Sequence, residues 1–152
     1  MNSIQVRQAV FADLEALSGI FDQYRIFQGK SSDIEAASAF LKARFDHGES
    51  VIFLAEEHCS AVGMAQLFPI YSSVSLARVF ILNDLFVTQA GRRKGVATTL
   101  LAQVEEYARS NQAARISLNV AQDNLDGQAL YESRGWCKDS EFFMYHRYPT
   151  RT

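Results

Sequence analysis

Residues 92–97 read "RRKGVA", three cations and a glycine set directly ahead of the apolar-periodic run "TTLLAQVEEYAR". A helix beginning there presents unpaired N–H groups and the positive end of its dipole. That combination is an anion site, suited best to a phosphate. Gly95 and Ala97 keep the backbone bare for close approach, and Arg92, Arg93 and Lys94 add charge around it. On these residues alone, a solvated basic turn is an equal alternative. The pattern Gly-x-x-x-x-Gly-Lys-Ser/Thr is absent, which excludes a Walker-type nucleotide site. The histidines (His47, His58, His146) and cysteines (Cys59, Cys137) share no metal-ligand spacing, so no metal is expected.

Bulk composition makes the cluster more informative. The 152-residue chain carries a formal net charge of −2, which gives no general attraction to nucleic acid or anionic lipid. Anion binding must therefore be local. Apolar residues make up 48% and charged residues 21%, ordinary for a soluble globular protein, and the length fits one domain over residues 1–152. Two cysteines far apart fit reduced thiols in the cytoplasm. The opening "MNSIQVRQAV" has no basic region followed by an apolar run, so no secretory signal is expected, and no stretch is apolar enough to span a membrane.

The elements that must position the cluster follow from hydrophobic period. "SIQVRQA" alternates as a half-buried strand. Asp13 is the expected cap of a helix carrying Leu14, Leu17, Ile20, Phe21 and Tyr24 on one face. Asp33 opens a second helix with Ala36, Ala37, Phe40, Leu41 and Phe45, stopped at His47-Gly48. The period then changes to that of strands: "SVIFLAEE", the tight turn "HCS", "AVGMAQLFPIYSS" with a bend near Pro69, and "SLARVFILNDLFV". A helix over 95–109 buries Val96, Leu100, Val104 and Tyr107. "ARISLNVA" reads as a strand, "NLDGQALYESR" as a helix closed by Gly135, and "WCKDSEFFMYHRY" as one or two final strands. Mixed helices and strands in this order define an α/β (α+β) domain.

Two motifs in this context carry a resemblance. "RRKGVA" fits Arg-x-x-Gly-x-Ala between a strand and a helix, and resembles the coenzyme-binding motif of the GNAT superfamily of N-acetyltransferases. "NLDGQALYESRGW" resembles that family's closing motif, with Asn124, Tyr131, Gly135 and Trp136 in register. The resemblance covers nearly the whole chain. "LNDLFV", "GQALYE", "YRIFQGKSSD", "FLKARF", "LFPIYSS" and the "FFMYHRY" tail are further similar to a small subgroup related to histone and polyamine acetyltransferases.

The resemblance implies a GNAT-like fold: a central mixed, mostly antiparallel sheet of six to seven strands, splayed between strands 4 and 5 and flanked by four helices. It implies transfer of an acetyl group from acetyl-CoA to a primary amine, with no metal. The cofactor would lie along Leu85, Phe86 and Val87, with the Val87 N–H polarising the acetyl carbonyl. Its pyrophosphate would rest on Arg92, Arg93, Lys94, Gly95, Val96, Ala97 and Thr98. Asn124 would hold the pantetheine arm, although an ordinary helix cap is compatible with the same residue.

A primary amine has a reference pKa near 10.4, so a proton must be removed before attack, and the departing thiolate must be protonated. Tyr131 matches the family's acid, with a core tyrosine as the alternative. The base is less clearly marked. Polyamine enzymes carry "LEDFFV" where this chain has "LNDLFV". Asn83 thus replaces a glutamate, leaving Asp84 as base or as a merely structural carboxylate. The family places acceptor recognition at the first helix–helix region, here Tyr24, Arg25 and Phe27 together with Asp84, where helix-end packing is the competing reading. The expected acceptor is a small-molecule amine (amino acid, diamine or polyamine). A protein lysine or N-terminus, or a non-catalytic acetyl-CoA-binding module, are the alternatives. Neither nucleic acid nor membrane is an expected partner, and the resemblance suggests a homodimer.

Overall fold

The computed structural model describes residues 3–150; positions 1, 2, 151 and 152 of the expected domain lie outside the described residues. The chain divides into two compact units, one running to Asn119 and one starting at Val120.

The first unit is a five-stranded sheet in the order β1-β2-β3-β4-β5. The strands are β1 (Ile4–Gln8), β2 (Val51–Glu57), β3 (Ser60–Ser72), β4 (Ala77–Val87) and β5 (Arg115–Ser117). β1 to β4 pair antiparallel, and β5 joins β4 in parallel. Neighbouring β2 and β3 need only a two-residue turn. His58 and Cys59 make it with φ of 50° and 65°, the positive values that match the twist of a tight hairpin.

Helices α1 (Leu14–Phe27) and α2 (Ile34–His47) cover one face. Leu17, Ile20 and Phe21 of α1 and Ala37 and Leu41 of α2 pack on Ile52, Leu54, Met64 and Phe86. The expected face of α1 is the buried one. On α2 the stripe is narrower, because Ala36 and Phe40 are exposed. The caps differ from one another. Asp33 accepts from the Ala36 N–H as expected. Asp13 stands at the N-cap position but makes no cap bond to α1. Its carboxylate instead accepts from Arg7 Nη1 and Nη2 at 2.8 Å and from the Val10 N–H, because a bidentate charged partner outcompetes a neutral amide. The α1–α2 loop is tied down by Asp22, which accepts from the Ser32 hydroxyl and the Asp33 N–H. Those two donors hold its carboxyl below the usual carboxylate range.

Helix α3 (Val96–Ser110) covers the other face through Val96, Leu100, Leu101, Val104 and Ala108. Its Tyr107 ring meets Phe53 and Phe80 at centroid distances of 5.6 and 5.5 Å.

Strand β3 is regular at Pro69, which pairs with Phe80; the irregularity lies instead between Gln66 and Leu67. There Gln66 faces Asp84 while Leu67 faces Leu82, so Asn83 is an extra, exposed residue on β4. Such a bulge reverses the alternation of faces. Before it, Phe80 lies against α3; after it, Phe86 lies in the α1–α2 core.

The second unit contains α4 (Leu125–Ser133), capped by Asn124 accepting from the Gly127 N–H. Gly135 ends it at φ 90°. The expected count of six to seven strands is not met: the described residues hold five. The expected strand "ARISLNVA" is paired only over Arg115–Ser117, and residues 137–150 form no strand. Strand-forming side chains are not sufficient without a neighbouring backbone to complete the ladder. The tail instead begins with a turn in which the Asp139 carboxylate accepts from the Glu141 and Phe142 N–H groups.

Candidate active site

β4 pairs with β5 only at Val79, Phe80 and Ile81. Beyond Ile81 the sheet opens, and the edge of Leu85, Phe86 and Val87 facing away from β3 has no paired strand among the described residues. An exposed strand edge offers unmet N–H and C=O groups to any extended chain that can pair with them.

At the end of that edge the chain makes a 3-10 turn at Gln89–Gly91 and then enters α3 through Gly95. Gly95 has φ 77°, a left-handed conformation that glycine adopts without steric cost. Helices α2 and α4 begin with a side-chain cap, whereas α1 and α3 have none. The amides of Val96, Ala97 and Thr98 are therefore the helix's orphan donors. They line a cleft of about 160 Å³ together with Val87, Gly91, Arg92, Arg93 and Gly95. A Cβ built on Gly95 meets nothing within 4 Å, so the space above it is open. Bare amides, a helix dipole and two guanidinium groups around an open cleft can hold an anion.

The three cations do not act alike. Arg92 lies over the Phe27 ring at 5.7 Å and its Nε is 3.5 Å from the Val87 carbonyl. Arg93 adopts φ 62° and lines the cleft. Lys94 turns away to the β2–β3 end of the sheet and bonds Glu57 at 2.8 Å. That contact holds the Glu57 carboxyl below its usual range. Lys94 is thus an anchor for the loop, outside the cleft lining.

The close seating of α3 depends on Gly63 of β3. A Cβ there would lie 2.9 Å from Val96 Cγ1 and 3.1 Å from the Phe86 carbonyl oxygen. Any side chain would push the first turn of α3 off the sheet.

On the opposite face, the aromatic residues of α1 gather at the same end of β4. Phe86 meets Tyr24 at 5.7 Å and Phe27 at 6.0 Å, and Phe27 is 64% exposed. Asp84 shares the Phe86 face and is buried, at 6% exposure. Its Oδ2 accepts from Gln66 Nε2 at 2.7 Å and from Asn83 Nδ2 at 3.2 Å. Arg25, half-buried on α1, acts electrostatically on Asp22. The sequence reading passes over Gln66, although a lone amide inside the apolar run 62–68 is the kind of signal that marks a buried polar contact.

Tyr131 lies on α4 and Asn124 at its cap, both in the second unit. Tyr131 is half-buried and its ring meets Trp136 at 5.9 Å. Burial pushes its phenol above the ordinary tyrosine value. Among the described residues no group of three or more His, Cys, Asp or Glu could hold a metal, and no helix is long and apolar enough to cross a membrane.

Residues 15–136 match the acetyltransferase (GNAT) family, so the match runs across both units, and the chain belongs to that family. It is an N-acetyltransferase that uses acetyl-CoA as donor. It is 42% identical over 142 residues to the uncharacterized N-acetyltransferase YhfO of Bacillus subtilis (strain 168), covering 93% of this chain and 95% of that one. A probable acetyltransferase of Haemophilus influenzae is 30% identical over 82% of this chain and 84% of its own length. A crystal structure of a probable acetyltransferase superposes with a TM-score of 0.91 at 38% identity, covering 97% of this chain and 99% of that chain.

Proposed function

We propose that the chain acetylates a primary amine of a small molecule by direct attack within a ternary complex, as a single functional domain. The observation that carries this reading is the uncapped N-terminus of α3 beside the open edge of β4. On this reading the pyrophosphate of acetyl-CoA rests on the amides of Gly95, Val96, Ala97 and Thr98, with Arg92 and Arg93 around it. The pantetheine arm pairs with the edge of Leu85, Phe86 and Val87 and bonds Asn124, and the Val87 N–H faces the acetyl carbonyl.

The chemistry then needs protons moved at both the nitrogen and the sulfur. The ammonium form of the acceptor gives a proton to Asp84, directly or through a water. The neutral nitrogen attacks the thioester carbon, the carbon–sulfur bond breaks, and the thiolate takes the Tyr131 hydroxyl proton; the second proton shed by the new amide nitrogen passes through solvent and restores the phenol. Tyr24, Phe27 and Arg25 flank the acceptor side. The single carboxylate on this strand, with Asn83 beside it, favours a monoamine or amino acid over a polyamine, which would be better matched by paired acids. A protein lysine or N-terminus is the alternative acceptor.

A second copy of the chain is the reading for the C-terminal tail. Phe142, Phe143, Met144, Tyr145 and Tyr148 are all at least 70% exposed, an apolar stretch with strand-forming residues and no strand of its own. A cytoplasmic homodimer that covers it fits the two free, exposed cysteines. Sedimentation velocity at micromolar concentration is expected to show a dimer, and a monomer at every concentration removes this reading.

Gly95→Glu places a carboxylate in the open space over the α3 amides. Acetyl-CoA affinity is expected to fall by about 100-fold, in line with losing charge-assisted hydrogen bonds worth about 1.5–3 kcal/mol each. Calorimetric titration of the folded variant measures it, and unchanged affinity removes the phosphate assignment.

Tyr131→Phe is expected to lower turnover by about 100-fold or more, the usual scale of a general acid, while acetyl-CoA affinity holds. Thiol release over a panel of amines, beside a thermal melt, reads both quantities. A folded variant with wild-type turnover at every pH would strip Tyr131 of the acid role, and a variant that unfolds would assign it to the core.

A further inference from the structure

Gln66 is completely buried in the middle of β3, where the neighbouring positions Met64, Ala65 and Leu67 are apolar. Burying an amide in such surroundings is costly unless both its ends are bonded. Both are. Its Nε2 donates to Asp84 Oδ2 at 2.7 Å, and its Oε1 accepts from the Ser50 hydroxyl at 2.8 Å. Ser50 follows α2 immediately before β2 and is half-buried.

The chemistry of the three groups gives the chain of bonds one direction. An ionised carboxylate only accepts, so the amide must turn its NH₂ toward Asp84. The amide oxygen then faces Ser50, and the hydroxyl, which can donate or accept, donates. Turning the amide over would set its oxygen against the carboxylate, so Ser50 and Gln66 hold one orientation together. Asn83 supplies a second donor to the same Oδ2. Among the described residues Oδ1 has no donor. Two donors on Oδ2 and none on Oδ1 leave Oδ1 as the atom with free lone pairs.

The bulge explains why this contact exists. Gln66 and Asp84 are directly opposite at the point where the pairing shifts, and they share the Met64 and Phe86 face. That brings a fixed amide donor to the carboxylate at the same step that brings the carboxylate to the aromatic end of α1.

We propose that Gln66 is a positioning residue for Asp84: backed by Ser50, it pins Oδ2 and presents Oδ1 to the acceptor nitrogen. The proposal rests on the reading of Asp84 as the base. Gln66 touches neither substrate nor cofactor on this account, and it acts only through the carboxylate.

The test is a double-mutant cycle with Gln66→Met, which keeps the length of the side chain and removes the donor. Thiol release from acetyl-CoA is measured with a panel of L-lysine, putrescine, spermidine and phenethylamine, beside calorimetric titration of acetyl-CoA. In the wild-type background kcat is expected to fall by about 10- to 100-fold, the scale of a misplaced catalytic group, while the acetyl-CoA Kd stays within about 2-fold. In the Asp84→Asn background the same change is expected to have no further effect on kcat. Equal losses in both backgrounds overturn the proposal and make Gln66 a packing residue. Wild-type turnover in Asp84→Asn alone overturns the base assignment and the positioning role with it. Unchanged turnover in Gln66→Met with a dead Asp84→Asn overturns only the role of Gln66.

A crystal structure of Gln66→Met gives a readout that needs no acceptor: the Asp84 carboxylate is expected to leave its wild-type position, and an unmoved carboxylate overturns the proposal. Should Gln66→Met fail to fold, Ser50→Ala decides. It sits at the half-exposed end of the chain of bonds and is expected to lower kcat by about 5-fold, the scale of one ordinary hydrogen bond, with no effect in the Asp84→Asn background. Full activity in Ser50→Ala would then overturn the proposal.

Discussion

The first turn of α3 can lie where it does only because residue 63 has no side chain. A Cβ there would stand only 2.9 Å from Val96 Cγ1, and the Phe86 carbonyl oxygen, at 3.1 Å, is almost as close. This contact fixes the end of the helix against β3 and beside Val87 of β4. Everything proposed for the cofactor follows from that placement. The orphan amides, the dipole and the left-handed entry at Gly95 come to one cleft, at the end of the strand whose edge is open. The basic residues then have secondary parts. Arg92 and Arg93 stand around the cleft, and Lys94 fastens its loop to the far hairpin through Glu57. An exposed ion pair of this kind contributes little to stability, so its effect is on where the loop rests.

The bulge at Asn83 is the second constraint. A regular β4 would keep Asp84 on the same side as Phe80 and Leu82, against α3. One extra residue turns Asp84 and Phe86 to the α1–α2 side instead. The strand thereby serves two purposes along its length: core on one face before the bulge, and a carboxylate beside an aromatic wall on the other face after it. The cost of burying that carboxylate is offset by the Gln66 and Asn83 amides. Bulges commonly sit where a strand must re-aim a side chain.

The main elements and the start of α3 were legible in the sequence because they depend on local rules. Hydrophobic spacing located α1 and α3, the strands β2, β3 and β4, and the stop of α2 at Gly48. The Arg-x-x-Gly-x-Ala run marked the helix start that forms the cleft. What was not legible depends on partners that only folding brings together. Asp13 looks like a helix cap until Arg7 is folded against it. Lys94 reads as one of three equivalent cations until Glu57, 37 residues away, claims it. The bend was expected at Pro69 because proline is conspicuous, but the pairing shift at Gln66 depends on which residue of β4 is extra. The tail reads as strand because of its aromatic content, yet a strand also needs an edge to join, and sequence alone supplies no edge.

The central claim is that the α3 N-terminus holds the pyrophosphate of acetyl-CoA. It is tested most directly by titrating the unmodified protein with acetyl-CoA and with S-acetyl-pantetheine, which keeps the thioester arm and lacks the pyrophosphate. Loss of the phosphate-bearing half is expected to weaken binding by about 100-fold or more, since several charge-assisted hydrogen bonds go with the pyrophosphate. Acetyl-CoA affinity is expected to fall as salt rises while that of the fragment does not. Equal affinity for the two compounds would contradict it.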